Sequence, residues 1–310
     1  VNYAARQWHA DLFSEIAARG MQVTTAFSME LVNPPSAWAA QFADGTPVLT
    51  ATGFGVLNST QCAPGQSDFL SYQQSAFLEM AQLQSAAGLA PSLQFGEFLW
   101  WFFASTSGMA YYDAQTAAAA IAELGRPLAA FAGPDSDPSV NGFADAGFLR
   151  ARLRDHAQAI RSYVQGAGWQ AEAPAPQFEA LYPYDVNYPS VYGPNQLGGR
   201  MNHYVNTPPE WMSQAAGFLE GIKIEALDFG SGTRSLDLCL QAIQLAPGWG
   251  WAPARVRYLV ALFNGGCPWQ YDLQLAQAAQ IPDIVLWAMD HVCLFGWRVW
   301  ETVSAGGSGF

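Results

Sequence analysis

Six short apolar runs recur along the chain, and each ends on a carboxylate or its amide. They are "VTTAFSME", "PSLQFGE", "FEALYPYD", "IKIEALD", "YLVALFN" and "IVLWAMD", closing on Glu30, Glu97, Asp185, Asp228, Asn264 and Asp290. A run that is apolar at nearly every position, rather than at alternate ones, is the pattern of a parallel strand covered on both faces. Segments long enough for several helical turns precede some of these runs. "ARQWHADLFSEIAARG" stops at Gly20, "FLSYQQSAFLEMAQLQSAAG" at Gly88 and "PEWMSQAAGFLEG" at Gly221, and glycine suits the left-handed position that ends a helix. In the second of them Phe69, Tyr72, Ala76, Met80, Leu83 and Ala87 stand three or four apart, the spacing of one buried stripe. Helix, glycine, strand is thus the repeated unit, which favours right-handed βαβ crossovers.

A closed barrel accounts for the polar tips better than an open sheet does. In a barrel every strand delivers its last residues to one shared mouth, whereas in a doubly wound sheet only the strands at the switch point need functional ends. The expectation is therefore an α/β fold, a (β/α)8 TIM barrel with long βα-loop insertions. With "IVLWAMD" as the eighth strand, "MQVTTAFSME" is the third, and the first two lie upstream of Val1 or in other segments, which makes the barrel incomplete at its N-terminus. "GTPVLTATGFGV" (45–56) reads as an excursion of the loop after Glu30, and "RPLAAF" (126–131) as a further short strand. The insert after Glu97 holds two helical segments, "AQTAAAAIAELG" and "AGFLRARLRDHAQAIRSYV", on either side of the polar "GPDSDPSVNG". One barrel domain is expected over 1–303, followed by the linker-like tail "SAGGSGF" (304–310). That tail, and a start with neither Met nor leader, read as a domain of a longer chain carrying further domains.

Composition excludes several classes. Hydrophobic residues are 51% and charged ones 12% of the chain, the balance of a protein with a large core rather than a disordered one. Acids outnumber bases 25 to 13, and Lys223 is the single lysine, so no basic stripe exists to neutralise nucleic-acid phosphates. No apolar run reaches the roughly 18–20 residues of a membrane-spanning helix. Neither G-x-G-x-x-G nor a P-loop occurs, and no serine stands in a G-x-S-x-G elbow. Cys62, Cys239, Cys267 and Cys293 lack zinc-ligand spacing. No cofactor and no metal are expected. The cysteines read as buried thiols, with Cys267 and Cys293 able to pair if the apolar runs before them are neighbours.

Aromatic residues gather where the acids are. Trp100 and Trp101 follow Glu97, Tyr111 and Tyr112 precede Asp113, Tyr182 and Tyr184 lead to Asp185, and Trp287, Trp297 and Trp300 surround Asp290. Sugars present flat C–H faces between hydroxyl edges, so aromatic platforms beside carboxylates suit a carbohydrate substrate or ligand; core packing explains the same rings equally well. Glycoside cleavage needs one protonated carboxyl and one carboxylate that attacks or activates water. Glu97, in apolar surroundings that raise its pKa, suits the acid. Asp228 leads as its partner, with Glu225 close behind. Glu30, Trp100, Trp101, Tyr112, Tyr182, Asp185, Asn264, Trp287, Asp290 and His291 are the candidate sugar-binding residues, and Arg200 and His203 sit on the loop after Asp185, placed to cover the mouth.

The segment "QFGEFLWWFF", with Glu97 ending what counts as strand four, resembles the retaining glycoside hydrolases of clan A, particularly the β-galactosidase-like and cellulase-like barrels. The resemblance implies that Glu97 is the acid/base and that a nucleophile glutamate ends strand seven. This chain has Asn264 there, in "ALFNGGCPW", and Gly96 where the clan commonly has asparagine. "QFGEFLWW", "ALFNGGCPW" and "AMDHVCLFGW" are also similar to glycosidase-like TIM-barrel domains within large phage tail and tail-sheath proteins. That second resemblance implies a structural or carbohydrate-contacting module, extracellular or virion-associated, and the missing strand-seven glutamate agrees with it.

Overall fold

The computed structural model describes residues 2–51, 58–101, 108–169, 174–189, 198–227, 236–262 and 269–287. Asp228, Asn264, Asp290, His291, Cys267, Cys293, Trp297, Trp300 and the tail 304–310 lie outside the described residues. The chain opens with helix α1 (Tyr3–Ala18) and strand β1 (Thr25–Phe27). An excursion of three strands, β2 (Glu30–Val32), β3 (Leu49–Ala51) and β4 (Asn58–Gln61), then leads through α2 (Ser67–Ala86) to β5 (Ser92–Phe95). Helices α3 (Ala114–Leu124) and α4 (Ala144–Gln165) precede β6 (Gln177–Pro183), which runs directly into the single turn α5 (Tyr184–Asn187) and the short α6 (Arg200–Val205). The remainder alternates: β7 (Gly221–Glu225), α7 (Leu236–Gly248), β8 (Val256–Ala261), α8 (Trp269–Ala278) and β9 (Asp283–Trp287).

Strands β1, β5, β6, β7, β8 and β9 pair in that order, and every pairing is parallel. Each main-sheet strand lies beside the next one in the chain, the winding of a TIM barrel. The sheet also curls. Arg257 of β8 donates to Thr24 Oγ1, at the foot of β1, over 3.0 Å, although β8 and β1 are not hydrogen-bonded neighbours. Among the described residues β1 and β9 each have a partner on one edge only, so the barrel is incomplete, as expected. Residues 45–51 of the 45–56 segment belong to the predicted excursion, the rest lying outside the described residues: β3 and β2 both pair antiparallel with β4 in a small separate sheet.

Local chemistry explains the elements. Asn2 caps α1 by accepting from Ala5 N–H, and Gln66 and Asp113 do the same for α2 and α3 at Phe69 and Thr116. Gly20 and Gly88, just beyond α1 and α2, hold φ of 66° and 81°, the left-handed backbone that only glycine adopts without strain. Two expectations are corrected. "PEWMSQAAGFLEG" forms no α-helix: only Gln214–Ala216 makes a 3-10 turn, because Gly217 at φ 65° reverses the backbone, and Gly221 opens strand β7 instead of capping a helix. "RPLAAF" joins no sheet. It is held instead by Asp145 of α4, which accepts from Arg126 through two bonds of 2.8 Å and from Ala129 N–H at 2.9 Å. The Arg126 guanidinium is the main cause that holds Asp145 down at about 2.

Outside the sheet, helices α2 and α4 cover an aromatic layer. Phe27 stacks on Phe77 at 3.9 Å, and Phe95 stacks on Phe178 at 5.5 Å and lies parallel to Trp211 at 6.5 Å. Inside the curl charged residues share the face with aliphatic ones such as Leu181, Leu259 and Val285, the type that usually fills a TIM barrel. Glu179 of β6 pairs with Arg257 and with Lys223 of β7, and Arg257 also donates to Asp283 of β9 at 2.6 Å. These groups sit toward the N-terminal ends of the strands, where Lys223, Arg257 and Asp283 also line a cavity of about 730 Å³ together with Gly20–Thr24. Burial raises the Glu179 carboxyl above its usual range even against both cations. Among the described residues no helix is long and apolar enough to cross a membrane, and Cys62 and Cys239 are buried free thiols.

Candidate functional site

Side chains alternate along a strand, so Lys223 on the inner face of β7 places Glu225, two residues on, on the same face at the strand's C-terminal end. Glu225 is the last residue of β7. Glu97 follows β5 by two residues, Asp185 lies in the turn after β6, and Glu30 begins β2 just beyond β1. The four come from separate segments yet act on one another electrically. Burial first, then the charges of Glu97 and Asp185, push the Glu225 carboxyl up to about 8 from its ordinary 4.5, against the pull of Lys223. Burial and then Glu30 raise Glu97, while a hydrogen bond from Ser28 lowers it. Glu97 is open to solvent and still crowded by protein, as in a recess: water reaches the carboxyl without hydrating its charge fully. Among the described residues no cluster of His, Cys, Asp and Glu could hold a metal ion.

Neighbouring contacts set where Glu97 points. Gly96 N–H donates to the Phe27 carbonyl at 2.7 Å, and a Cβ at Gly96 would lie 2.5 Å from that same oxygen. No side chain fits there without a shift of the backbone, which accounts for glycine at this position. Gly96→Ala is expected to cost about 1–3 kcal/mol, as overpacking does, and to shift Glu97; thermal denaturation of the variant checks it. Beyond Glu97 the chain is clamped. Asn206 accepts from Trp100 N–H at 2.7 Å and donates to the Trp100 carbonyl at 3.1 Å, and Gln61 donates to the Leu99 carbonyl at 3.1 Å.

The predicted aromatic rim separates into several roles. Trp100 is fully buried and its indole donates to the Leu149 carbonyl at 2.7 Å, so this ring anchors the segment and has no face left for a ligand. Trp101 packs on a second apolar cluster, of Ala40, Phe42, Val48, Ala63 and Ala110. Tyr112 is half-buried and stacks on Tyr111 at 4.5 Å. Tyr182 is buried, its hydroxyl 2.7 Å from His203 Nδ1. Burial keeps His203 low, at about 4, hence neutral at pH 7. Trp287, the last residue of β9, is 38% exposed. Arg200 forms an ion pair with Asp135 at 3.3 Å.

Sequence reasoning missed Ser28. Its Oγ lies 3.3 Å from Glu97 Oε2 and accepts from Glu30 N–H at 3.0 Å. The Ser28 carbonyl accepts from Gln73 at 3.1 Å, Gln73 Oε1 lies 2.6 Å from His156 Nε2, and His156 Nδ1 accepts from Gly65 N–H at 3.0 Å. That last bond requires the neutral imidazole to carry its hydrogen on Nε2, donated to Gln73. Alternation from Thr24 through Ala26 would have put Ser28 on the inner face, the one signal that could have found it.

A curled parallel sheet with carboxyl groups at the C-terminal ends of its strands defines a TIM-barrel protein with a candidate site at the mouth. The chain belongs to the family described as "Non-contractile tail sheath protein TIM barrel", whose profile matches residues 1–177, more than half of its length. Among solved structures it is similar to the catalytic domain of β-amylase from Paenibacillus polymyxa, with a TM-score of 0.59 at 11% identity, covering 94% of this chain and 81% of that one. An α-galactosidase from Thermus thermophilus, solved in complex with stachyose, also matches, with a TM-score of 0.41 at 13% identity over 90% of this chain and 48% of that one. At this identity the β-amylase likeness is one of fold. No curated protein matches the chain by sequence.

Proposed function

We propose that this barrel binds and cleaves a glycan as part of a virion tail protein, using Glu97 and Glu225 as its carboxyl pair. The feature that carries the proposal is the placing of Glu97 and Glu225 at the C-terminal ends of β5 and β7, two strands apart in the sheet, near enough for the Glu97 charge to help raise the Glu225 carboxyl. Two carboxyls that cannot both ionise share a proton, and the environment decides which one holds it. Glu225, less exposed than Glu97 and facing two like charges, keeps the proton; Glu97, receiving the Ser28 hydroxyl, is the ionised partner. This reverses the order expected from the sequence. Glu225 then protonates the glycosidic oxygen as the C–O bond breaks, and Glu97 attacks the anomeric carbon or takes a proton from the attacking water. Asp185 keeps Glu225 protonated. Asn264, Asp290 and His291 remain candidates for sugar contacts, and Asp228, the partner first expected for Glu97, lies outside the described residues.

Turnover on a panel of aryl glycosides and polysaccharides tests the proposal. Glu97→Gln is expected to lower kcat by at least about 100-fold, and a rate unchanged by that substitution removes the assignment. Membership of the tail-sheath family supports a second reading, a barrel that contributes architecture alone. It predicts no cleavage of any glycan in the panel by the unmodified protein.

A further inference from the structure

A second recess lies on the outer side of β1, away from β5. It encloses about 260 Å³ and is lined by His9 of α1, residues Thr25–Ser28, Glu30 and Leu31, and Tyr72, Gln73, Ala76 and Met80 of α2. That is below the roughly 300–1,000 Å³ of sites for drug-sized ligands, room for a single ring and not for a chain. Three features of the recess suit a pyranose. Tyr72 is 47% exposed, and its ring is braced by Trp38 at 5.5 Å, so a fixed aromatic face is offered to C–H groups. Glu30 supplies a carboxylate whose Oε1 is anchored by the Ser59 hydroxyl. The peptide groups of a strand point alternately to its two edges. With the Phe27 carbonyl engaged by Gly96 on the β5 side, the N–H and C=O of Ala26 point to the recess. Ser28 belongs to the recess and also touches Glu97, so a ring seated here has one edge toward that carboxyl.

We infer that this recess is a monosaccharide subsite, with Tyr72 as its platform and Glu30 as the acceptor of sugar hydroxyls. The inference rests on the glycan reading above and adds where one sugar unit sits. Saturation-transfer NMR on the full chain, with methyl glucopyranoside, galactopyranoside and N-acetylglucosaminide as probes, tests it without turnover. Transfer to the ring protons of at least one probe is expected. Tyr72→Ala and Glu30→Gln should each reduce it by about fivefold, and Tyr163→Ala, at an equally exposed tyrosine of α4, should leave it unchanged. No transfer from any probe, or transfer unaltered by Tyr72→Ala, overturns the subsite. The unmodified protein separates the two ideas. Tyr72-dependent probe binding with no turnover on the glycan panel keeps the subsite and sinks cleavage, whereas turnover without Tyr72-dependent binding does the reverse.

Discussion

Glu225→Gln is expected to make the protein more stable than the parent at pH 9, by a few kcal/mol, while lowering glycoside cleavage by about 100- to 10,000-fold. The stability effect follows from linkage. An unfolded chain releases the Glu225 proton near its ordinary 4.5, whereas the folded protein holds it until about 8. The folded state therefore binds more protons between those values, and stability falls as pH rises from about 4.5 to about 8, with the full penalty present above. That gap corresponds to a ceiling of roughly 5 kcal/mol, reduced in practice because Glu97 and Asp185 share the repulsion. Glutamine keeps the shape and cannot ionise. Melting curves at pH 5 and pH 9 check the prediction: the variant's advantage should be small at the lower pH and several degrees at the higher one. An advantage equal at both, or a parent more stable at pH 9, would show that Glu225 ionises freely and has no proton to deliver.

Arg257→Met is expected to destabilise the fold by about 3–5 kcal/mol, because it strips Glu179 of one of its two cations in the barrel interior. Lys223, 3.5 Å from Glu179, remains and sets the loss toward the lower end. The ties to Asp283 and to Thr24, the latter joining β8 to the foot of β1, go with it. Adding Glu179→Gln should recover at least about half of the loss, since breaking a buried pair costs more than replacing it. The deficit should also shrink as pH falls: burial already raises Glu179, and a protonated carboxyl needs no cation. Urea unfolding of the single and double variants at two pH values measures both effects. A loss below about 1 kcal/mol would mean that the interior charges are hydrated and that the barrel floor does not hold the strands together.

Much of the architecture was legible because both of its signals are local. Continuous apolar runs and helix-ending glycines such as Gly20 and Gly88 depend on residues a few positions apart, and the strands they marked are the six of the main sheet. The reading failed where a distant partner overrode the pattern. Residues 126–131 looked strand-like, and an aspartate on α4 claimed their backbone instead. Of the paired tryptophans, Trp100 went to the core because Leu149 and Asn206 had acceptors placed for it. No property of the "WW" pair by itself separates an anchor from a platform.

The sequence by itself determined the class of fold and the order of the main-sheet strands, since apolar run length and capping are properties of the chain's own geometry. Only the tertiary structure decided which of those acids come close enough to influence one another. Repulsion between Glu97, Asp185 and Glu225, the hydroxyl that Ser28 brings to Glu97, and the bar on any side chain at Gly96 all arise between segments far apart in the chain. Electrostatic coupling depends on distance through space and on how much water is excluded along the way, and both come into being only when the sheet curls.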